Sequence, residues 1–343
     1  MPHADPRVFQ RLLPAAIERR RTLLADPSIE AVRLFAAEGD GLPGVYLDRL
    51  GPAAILILHA DEEPGAAAAD LAGAALEQTA PLGVRAIYLK PFTRDRSKLG
   101  GAHPAVLTDP TPAAGEPQPE SYLVREYSWR LEVRPFDGFS TGIFPDQRDN
   151  RRHLAGLLRD RASSGKPARV LNTFCYTGAF SIACALAHPS VEVSSVDVSP
   201  KYLEWAKRNF THNGLDASQP RYRFARMDTF EFLAYARRKQ LLYDLIILDP
   251  PSFSAGNKRR GVETWSSTAD YPRLIAEAAP LLDPNGARLL FASTNTTELC
   301  LPGRFERMIE KGLDKRPQWE KLQPPAPDFA LEPGRLEARF FRC

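Results

Sequence analysis

The sequence predicts an α/β fold in which a small mixed α/β domain precedes a larger, doubly wound domain with a mostly parallel sheet. Three observations lead to this prediction. The 343 residues exceed the roughly 100–200 residues of an ordinary single domain. Short strand-like segments separated by turn residues fill 31–145, and apolar strands then alternate with amphipathic helices. We therefore divide the chain into an N-terminal helix (1–30), a small domain (31–145) and a larger domain (146–343).

The first predicted element is one helix over residues 5–25. Its apolar face contains Val8, Leu12, Ala15 or Ala16, and Leu23. The arginines at 19–21 lie mostly on the other face. This run either contacts RNA or forms a solvated helix surface.

In the small domain, turn residues separate short strands. A Gly-Asp-Gly loop follows the first strand, and a hairpin is broken at Leu50-Gly51-Pro52. A helix-like segment (61–78) and a strand (84–90) come next. We expect the proline-rich connector at 109–119 to be a mobile loop and 122–135 to be a strand pair. This domain is the predicted RNA- or substrate-binding part of the chain.

The larger domain alternates buried strands with helices, which is typical of a parallel sheet covered on both faces. In such sheets ligands bind at the carboxyl ends of the strands. A final strand at 336–342 is predicted to close the sheet at its edge. The other predicted strands are 168–174, 191–197, 221–226, 243–249 and 287–293.

Composition excludes several classes of protein. Apolar residues make up 43% and charged residues 25%, as in ordinary globular proteins. Apolar runs are far shorter than the ~20 residues of a membrane helix, and the N-terminus lacks the apolar core of a secretory signal, so we expect a cytoplasmic protein without membrane association. Four cysteines without paired spacing argue against disulfides and metal sites. The net charge of +3 is too small to identify a partner.

Two neighbouring strand ends carry residues suited to a nucleoside. Asn172 to Gly178 follow the first strand of the larger domain, and Asp197 ends the second. A glycine turn allows close approach of a ligand, and the carboxylate can accept from both ribose hydroxyls. Because the loop from Asn172 to Gly178 has a single glycine and lacks the phosphate-binding GxGxxG pattern, a nucleoside without pyrophosphate, such as S-adenosylmethionine, fits better. The alternative for Asp197 is a helix cap before Ser199-Pro200.

The next two strand ends also carry carboxylates. Asp228 and Thr229 follow the third strand, where a carboxylate can accept from an adenine amino group. The fourth strand ends in Asp249-Pro250-Pro251-Ser252-Phe253, in which the prolines stiffen the chain and Phe253 can stack on a base. Such stacking is worth ~1–3 kcal/mol, comparable to the cost of unstacking a base from RNA. The alternative is a rigid loop with a buried phenylalanine.

From about Leu34 to Phe341 the sequence resembles the class I S-adenosylmethionine-dependent methyltransferases of bacterial large-subunit (23S) ribosomal RNA. The resemblance implies a Rossmann-like methyltransferase domain with a seven-stranded sheet, S-adenosylmethionine as cofactor and RNA as partner. The matching runs are AEGDGLPGVYLDRL (37–50), TGIFPDQRDNR (141–151), VLNTFCYTGAFSIA (170–183), VDVSPKYLEWAKRNFTHNGL (196–215) and YDLIILDPPSFS (243–254).

The resemblance also implies roles for individual residues. Asp197 with Ser199 would hold the ribose, Asp228 and Thr229 would hold the adenine, and the turn from Asp249 to Phe253 would face the methyl group and the base. The rest of the implied cofactor pocket consists of Phe144, Gln147, Arg148, Asn172, Phe174, Tyr176 and Gly178. For Gln147 and Arg148 the alternative is a salt-bridge cluster with Asp146 and Asp149 at a helix start.

The chain differs from the cytosine carbon-5 enzymes of this group in two ways. About thirty residues precede the first match, too few for their N-terminal RNA-binding (PUA) domain. The loop after 287–293 reads Ser293-Thr294-Asn295-Thr296 where those enzymes have a cysteine. Carbon 5 is a weak nucleophile until a thiolate adds to carbon 6, so the carbon-5 reaction is disfavoured. Cys300, several residues beyond the strand, is the alternative nucleophile.

The sequence is also similar to the guanine-N7 methyltransferase half of a fused large-subunit rRNA enzyme. Guanine N7 has a free lone pair, so direct methyl transfer needs positioning and exclusion of water rather than a covalent step. We therefore predict direct methylation of a base nitrogen in 23S rRNA, with no metal. Cations that follow the two site loops, at 151–152 and 258–260, either contact RNA phosphates or are solvated.

Three alternatives remain open at this stage. The first keeps the cofactor but transfers the methyl group to another acceptor, such as cytosine carbon 5 or a protein side chain. The second is an RNA-binding assembly factor without catalysis. The third is a nicotinamide-dependent oxidoreductase on the same sheet, which the lack of a GxGxxG pattern after the first strand of the larger domain disfavours.

Overall fold

The computed structural model describes residues 5–59, 66–92, 105–166, 168–254, 264–322, 324–332 and 334–343. The chain forms two units. The first consists of Met1–Arg148 with Pro325–Glu332, and the second of Asp149–Pro324 with Pro333–Cys343. The predicted division differs in two respects, because the N-terminal helix belongs to the first unit and a late segment of the chain returns to it.

The first unit contains a five-stranded sheet in the order β1-β2-β3-β4-β5. Strands β3 and β4 are parallel and the other neighbours are antiparallel. The predicted small mixed α/β domain is therefore confirmed. Its elements are β1 (Ala31–Ala36), β2 (Val45–Leu50), β3 (Ala53–His59), α3 (Ala66–Thr79), β4 (Ala86–Phe92), β5 (Ala114–Gly115) and the hairpin β6 (Tyr122–Glu126) and β7 (Trp129–Val133). The proline-rich connector includes β5 and so takes part in the sheet.

The N-terminal segment forms two helices, α1 (Pro6–Arg19) and α2 (Arg21–Leu24), rather than one. Asp5 caps α1 by accepting a hydrogen bond from the Arg7 amide at 2.8 Å. The fully buried residues of α1 are Phe9, Leu13 and Ala16, of which only Ala16 was predicted, while the predicted Leu12 and Leu23 are partly buried against the same core. Val8 and Leu12 have the same four-residue spacing as Phe9 and Leu13, so the sequence pattern fits either pair. In the structure, Phe9 and Leu13 are the pair fully buried where α1 packs against α3 and β1.

The arginines at 19–21 do not form a simple solvated surface. The Arg20 side chain is fully buried, and its Nη2 lies 2.7 Å from Oδ2 of the buried Asp40. Arg19 also pairs with Asp40, whereas Arg21 pairs with Glu18 at the surface. These arginines hold the pKa of Asp40 below its ordinary value, against the opposing effect of its burial. The central residue of this run therefore serves the core of the first unit.

Arg148 is a second buried cation of the first unit. Its Nη2 lies 2.7 Å from Oδ1 of Asp328, and both side chains are almost fully buried. Nη1 also donates to the Ala31 carbonyl at 3.0 Å. This pair joins the start of α4 (Arg148–Ser163) to the returning segment, 180 positions along the chain.

The second unit contains a seven-stranded sheet in the order β10-β9-β8-β11-β14-β16-β15. Its first five strands are parallel and β16 is antiparallel to both neighbours, which confirms the predicted doubly wound, mostly parallel sheet. The final strand was predicted at an edge, but β16 lies between β14 and β15. The strands are β8 (Arg169–Thr173), β9 (Glu192–Asp197), β10 (Tyr222–Arg226), β11 (Leu245–Leu248), β14 (Leu289–Thr294), β15 (Gln318–Glu320) and β16 (Glu337–Arg342), and β12 (Phe253–Ser254) pairs separately with β13 (Trp265–Ser266).

Helices cover both faces of this sheet. Leu290 of β14 packs in a core with residues of the last three helices, whereas the adjacent Phe291 faces Phe180 of α5 at a ring distance of 5.4 Å. Successive strand residues point to opposite faces, so these helices lie on opposite sides. The helices are α5 (Ala179–Ala185), α6 (Pro200–His212), α7 (Thr229–Arg238), α8 (Ser267–Ala278) and α9 (Arg304–Leu313). No helix in the described ranges is long and apolar enough to cross a membrane.

The Arg148–Asp328 pair makes a testable contribution to the first unit. Asp328→Ala leaves a buried guanidinium without its carboxylate, and breaking such a pair costs about 3–5 kcal/mol. We expect the free energy of unfolding of this unit to fall by that amount in urea titrations. Asp109→Ala, at an exposed position of the same unit, is the control. A loss below ~1 kcal/mol for Asp328→Ala would contradict the structural role of the pair.

Candidate functional site

The tips of β8 and β9 are joined by the side chain of Asp197. Its Oδ2 accepts a hydrogen bond from the Tyr176 amide at 3.0 Å, and its Oδ1 accepts from the Ser199 amide at 2.8 Å. The Cys175 amide donates to the carbonyl of Val196 at 2.9 Å, which adds a backbone link between the same tips. The loop after β8 is therefore fixed against the end of β9.

The loop after β8 is conformationally strained. Phe174 and Tyr176 have φ angles of 54° and 51°, a left-handed region that is uncommon for residues other than glycine. Gly178 has φ of 82°, and an added Cβ would lie 2.9 Å from the Cβ of Ala206. The glycine thus permits a turn and close packing of α5 on α6. Strained residues of this kind persist where the surroundings over-determine them and often occur at functional sites.

The Asp197 carboxylate has the properties needed to hold ribose hydroxyls. Burial raises its pKa above the ordinary value, although the amides of Ser199 and Tyr176 oppose this shift. Among the described residues it forms no ion pair with a cation. Each carboxylate oxygen can accept a further hydrogen bond. Neutral donors such as hydroxyls therefore suit this position, and the residues present fit a nucleoside.

Several predicted cofactor residues also have structural tasks. Nδ2 of the buried Asn172 donates to Oγ of Ser181 at 2.9 Å, which lies 2.7 Å from Oγ of Ser195. Ser199 caps α6, and Asp228 caps α7 by accepting from the Phe230 amide at 2.8 Å. The sequence raised a helix cap only at Asp197, where the cap of α6 is Ser199, and the cap at Asp228 is an additional finding. A cap leaves further acceptor positions on a carboxylate, so binding by Asp228 stays a prediction, as it does for the buried Thr229.

The remaining predicted cofactor residues belong to the first unit. Phe144 is half exposed and directly precedes a 3₁₀ helix (Pro145–Gln147). Gln147 is buried, and Arg148 forms a buried ion pair with Asp328, which the sequence did not predict. Their role in a cofactor pocket stays a prediction.

The turn after β11 is held by groups that sequence reasoning missed. The Pro251 carbonyl accepts from Nε1 of Trp265 at 2.6 Å and from Oγ of Ser267 at 3.0 Å. Both hydrogen bonds of this carbonyl are therefore made within the protein. Trp265 is buried, and its ring centroid lies 5.6 Å from that of Phe174, in the loop after β8. One indole therefore contacts both loops.

The end of β14 supports the same turn. Oγ of Ser293 donates to Oδ1 of Asp249 at 2.5 Å, and Oγ of Ser252 donates to Oδ1 of Asn295 at 2.5 Å. The buried Tyr271 hydroxyl donates to the Ser293 carbonyl at 2.7 Å. Burial and the charge of Asp249 raise the Tyr271 pKa, so this hydroxyl remains a donor at neutral pH. In the sequence, the polar run from Ser293 to Thr296 at the end of β14 was the only indication of these supporting contacts.

Phe253 is 63% exposed, in contrast to the buried aromatic residues around it. It pairs with Ser266 in the two-stranded β12–β13 ribbon, which fixes its backbone. The alternative of a core phenylalanine is therefore wrong. An exposed aromatic ring on a fixed backbone is suited to stacking on a planar ligand. Pro250 and Pro251, which precede it, have no backbone N–H groups.

Cys300 and the cations that follow the two site loops are the last residues considered for the site. Cys300 is buried, and its thiol donates to the Thr294 carbonyl at a sulfur–oxygen distance of 3.4 Å. Burial and the charge of Glu337 raise its pKa to about 11. The guanidinium of the buried Arg151 lies 5.6 Å from the ring centre of Phe180, and residues 258–260 lie outside the described residues. No group of three or more potential metal ligands occurs in the described part of the chain.

Fold and strand-tip chemistry together define an α/β domain suited to a nucleoside cofactor. Residues 112–302 match the S-adenosylmethionine-dependent methyltransferase family. This match covers more than half of the chain, so the protein belongs to that family, and S-adenosylmethionine is its cofactor. The oxidoreductase alternative is not supported.

Similar proteins have been named and solved. "Ribosomal RNA large subunit methyltransferase I" of Pseudoalteromonas translucida is 32% identical over 89% of this chain and 70% of that protein. The protein of the same name in Klebsiella pneumoniae is 33% identical over 99% of this chain and 80% of its own length. A Streptococcus mutans structure described as an S-adenosylmethionine-dependent methyltransferase has a TM-score of 0.79 and 27% identity, covering 100% of this chain and 83% of its own. The SMU.776 structure, described as complexed with S-adenosylhomocysteine, has a TM-score of 0.81 and 28% identity, with the same coverage.

Asp197 offers a direct test of cofactor binding. We expect Asp197→Asn to weaken binding of S-adenosylhomocysteine about 10- to 100-fold, because hydrogen bonds to a charged group contribute about 1.5–3 kcal/mol. Since burial raises the Asp197 pKa, its carboxylate takes up a proton at a higher pH than an exposed aspartate. Wild-type affinity should therefore fall as the pH is lowered toward that pKa, whereas the affinity of the variant stays flat. Calorimetric titration over a pH series measures both effects.

The matched control for this experiment is Asp216→Asn. Asp216 is an exposed aspartate of the same unit that accepts backbone and side-chain hydrogen bonds from Ser218. Its replacement should leave affinity unchanged. Equal affinities for wild type and Asp197→Asn at neutral pH would refute the ribose-binding role.

Phe253 tests the base-facing side of the turn. Because its ring is exposed, Phe253→Ala should leave the melting temperature and S-adenosylhomocysteine affinity unchanged. Loss of stacking worth ~1–3 kcal/mol should lower kcat/KM for RNA methylation by about 5- to 150-fold. Phe253→Tyr should restore most of the activity. If Phe253→Ala unfolds the protein, or methylates RNA at the wild-type rate, the stacking role is wrong.

Proposed function

We propose that this protein methylates a base nitrogen of large-subunit ribosomal RNA, guanine N7 or a similar acceptor, by direct transfer from S-adenosylmethionine. Support for the RNA substrate comes from the printed names of relatives such as those of Pseudoalteromonas translucida and Klebsiella pneumoniae. Support for the acceptor comes from the site itself. The first unit is proposed to help bind the RNA.

The proposed cofactor contacts follow from the strand tips. Asp197 holds the ribose with its carboxylate, which the amide of Ser199 fixes at the end of β9. Ser199 stabilises the same turn by capping α6. Asp228 and Thr229 hold the adenine, and the loop from Phe174 to Gly178 encloses the cofactor. Phe144, Gln147 and Arg148 are included as proposed pocket residues. S-adenosylmethionine supplies a methyl group on a sulfonium sulfur, which needs no metal or redox partner.

The observation that carries the choice of acceptor is the chemistry of the strand ends around Asp249. The polar groups that meet there are Ser293, Asn295 and the hydroxyl of Ser252, none of which is a thiol. Cys300 is buried behind this strand end and its pKa is raised to about 11, so it is mainly protonated at neutral pH. Methylation at cytosine carbon 5 requires a thiolate, whereas guanine N7 attacks a methyl carbon with its own lone pair.

In this proposal the protein contributes alignment and exclusion of water. Ser293 fixes one oxygen of Asp249, and Trp265 and Ser267 fix the Pro251 carbonyl. These contacts hold the turn before the base arrives, so less ordering is needed in the transition state. Phe253 stacks on the extruded base, and Asp249 accepts from a donor on its edge.

Cys300→Ser separates direct transfer from thiol catalysis. We expect this variant to keep at least half of the wild-type kcat, because the hydroxyl can also donate to the Thr294 carbonyl. RNA containing 5-fluorocytidine, which traps thiol adducts, should give no covalent complex on a denaturing gel. Activity abolished in Cys300→Ser, together with a trapped adduct in the wild type, would establish the carbon-5 alternative instead.

The substrate is tested in cells. Large-subunit rRNA from a strain lacking the gene should lose one methylated nucleoside, with the mass and retention time of 7-methylguanosine or another base-nitrogen product. Adding back the wild-type gene should restore that nucleoside, and Asp197→Asn should not. An unchanged rRNA nucleoside profile would contradict the proposed substrate.

A further inference from the structure

One outer edge of the seven-stranded sheet is unusually basic. Strand β10 lies at this edge and pairs with β9 on its inner side. Residues 201–240, which supply most of α6 and all of β10 and α7, contain nine lysines and arginines against four aspartates and glutamates. Their net charge of +5 exceeds the +3 of the whole chain. Positive charge is therefore concentrated at this edge and offset elsewhere.

The cations extend to both sides of β10. On the side of α6, the rings of Tyr222 and Phe224 pack against Phe210 at 5.0 and 5.1 Å. The Lys207 ammonium lies 5.8 Å from the ring centre of Phe224, and the Arg221 guanidinium lies 4.8 Å from that of Tyr222. These rings support the cations along the edge.

Arg223 occupies the opposite side of the strand, because successive strand residues point to opposite faces. It is exposed, and its charge lowers the pKa of Tyr243 against the larger effect of burial. The end of α7 adds the exposed cations Arg237, Arg238 and Lys239. Exposed cations thus occur along the edge strand, which spans about 16 Å at ~3.3 Å per residue, and at the end of the helix that follows it in the chain. We call this set of cations, on residues 221–226 and 237–239, the basic edge.

Most of these cations have no acidic partner. Elsewhere in the chain, buried arginines such as Arg20 and Arg148 are paired with carboxylates. Within the described residues, the side chains at the basic edge that form no ion pair are Arg221, Arg223, Arg226, Arg237, Arg238 and Lys239, although Arg221 donates to the Pro189 carbonyl. The helix dipole stabilises cations in the last turn of α7, but it does not account for those on β10. Unpaired cations grouped on one surface attract a polyanion.

We propose that the basic edge binds the phosphodiester backbone of the substrate RNA. This inference rests on the proposed function, because it assumes that the acceptor is RNA. Cations that neutralise phosphates release condensed counterions, and such contacts position RNA without reading its sequence. Three strand spacings of ~4.8 Å separate β10 from β11, so the cations on β10 lie about 14 Å from the strand that precedes Asp249. The basic edge therefore holds RNA that flanks the target base.

A charged edge strand also has a known structural use. Lysines and arginines at a sheet edge prevent pairing with the edge of another molecule. This use predicts self-association when the charges are removed, and no change in RNA affinity. The two explanations therefore give opposite results for the same variant.

The experiment compares two triple variants that remove the same charge. The test variant carries Arg223→Gln, Arg238→Gln and Lys239→Gln. The control carries Lys311→Gln, Lys315→Gln and Lys321→Gln, three exposed lysines on or near α9 and β15 at the other edge of the sheet. None of the six is a proposed cofactor or base contact. S-adenosylhomocysteine affinity and melting temperature should match the wild type in both variants.

Binding is measured with deproteinised large-subunit rRNA from the deletion strain, over a KCl series from about 50 to 300 mM. We expect the test variant to bind about tenfold more weakly near the lower salt concentration. The slope of log affinity against log salt should become shallower by about 2, since roughly 0.7–0.9 is lost with each phosphate contact. Methylation should show a higher KM at an unchanged kcat. The control should stay within about twofold of the wild type.

Three results would overturn the inference while leaving the proposed function intact. The first is binding of RNA by the test variant with the affinity and salt slope of the wild type. The second is an equal loss of binding in both triple variants, which would indicate a general effect of net charge. The third is elution of the test variant as a larger species in size-exclusion chromatography with RNA affinity retained, which would assign the charges to edge protection. If wild-type protein neither binds nor methylates this RNA, the proposed function itself fails, and the inference with it.

Discussion

The hydrogen bonds between Asp197 and the amides of Tyr176 and Ser199 are the constraint on which the candidate site depends. They join the strained loop after β8 to the start of α6. Gly178 permits the turn and the close packing on Ala206 that this arrangement requires. Without the carboxylate, the positive φ angles of Phe174 and Tyr176 would lose a stabilising partner. The proposed nucleoside-binding surface is thus a consequence of the hydrogen bonds that join the two strand ends.

The strands of the second unit were predicted well from local sequence patterns where the connections are short. Apolar runs separated by amphipathic helices predicted β8, β9, β10, β11 and β14 within a few residues. The predicted position of β16 at the edge of the sheet was wrong, because its sequence indicates a strand but not the strands with which it pairs. Its insertion beside β14 depends on antiparallel pairing that only the folded chain defines. Partners far apart in sequence, such as Arg148 and Asp328, were invisible for the same reason.

The candidate site shows a similar limit. Its carboxylates were found because each ends a strand, and the carboxyl ends of parallel strands share one edge of a sheet. The supporting groups were missed, since Trp265, Ser293 and Asn295 act through hydrogen bonds that cross between elements. Phe253 is exposed and Cys300 is buried, although both side chains are apolar or weakly polar. Composition alone gives no basis for that distinction.

A crystal structure with S-adenosylhomocysteine tests the central claim most directly. The account predicts both ribose hydroxyl oxygens within about 2.5–3.0 Å of the Asp197 carboxylate oxygens. It also predicts that the sulfur of the ligand faces the turn from Asp249 to Phe253. Adenosine bound away from the ends of β8 and β9, or an Asp197 side chain without contact to the ribose, would contradict the account.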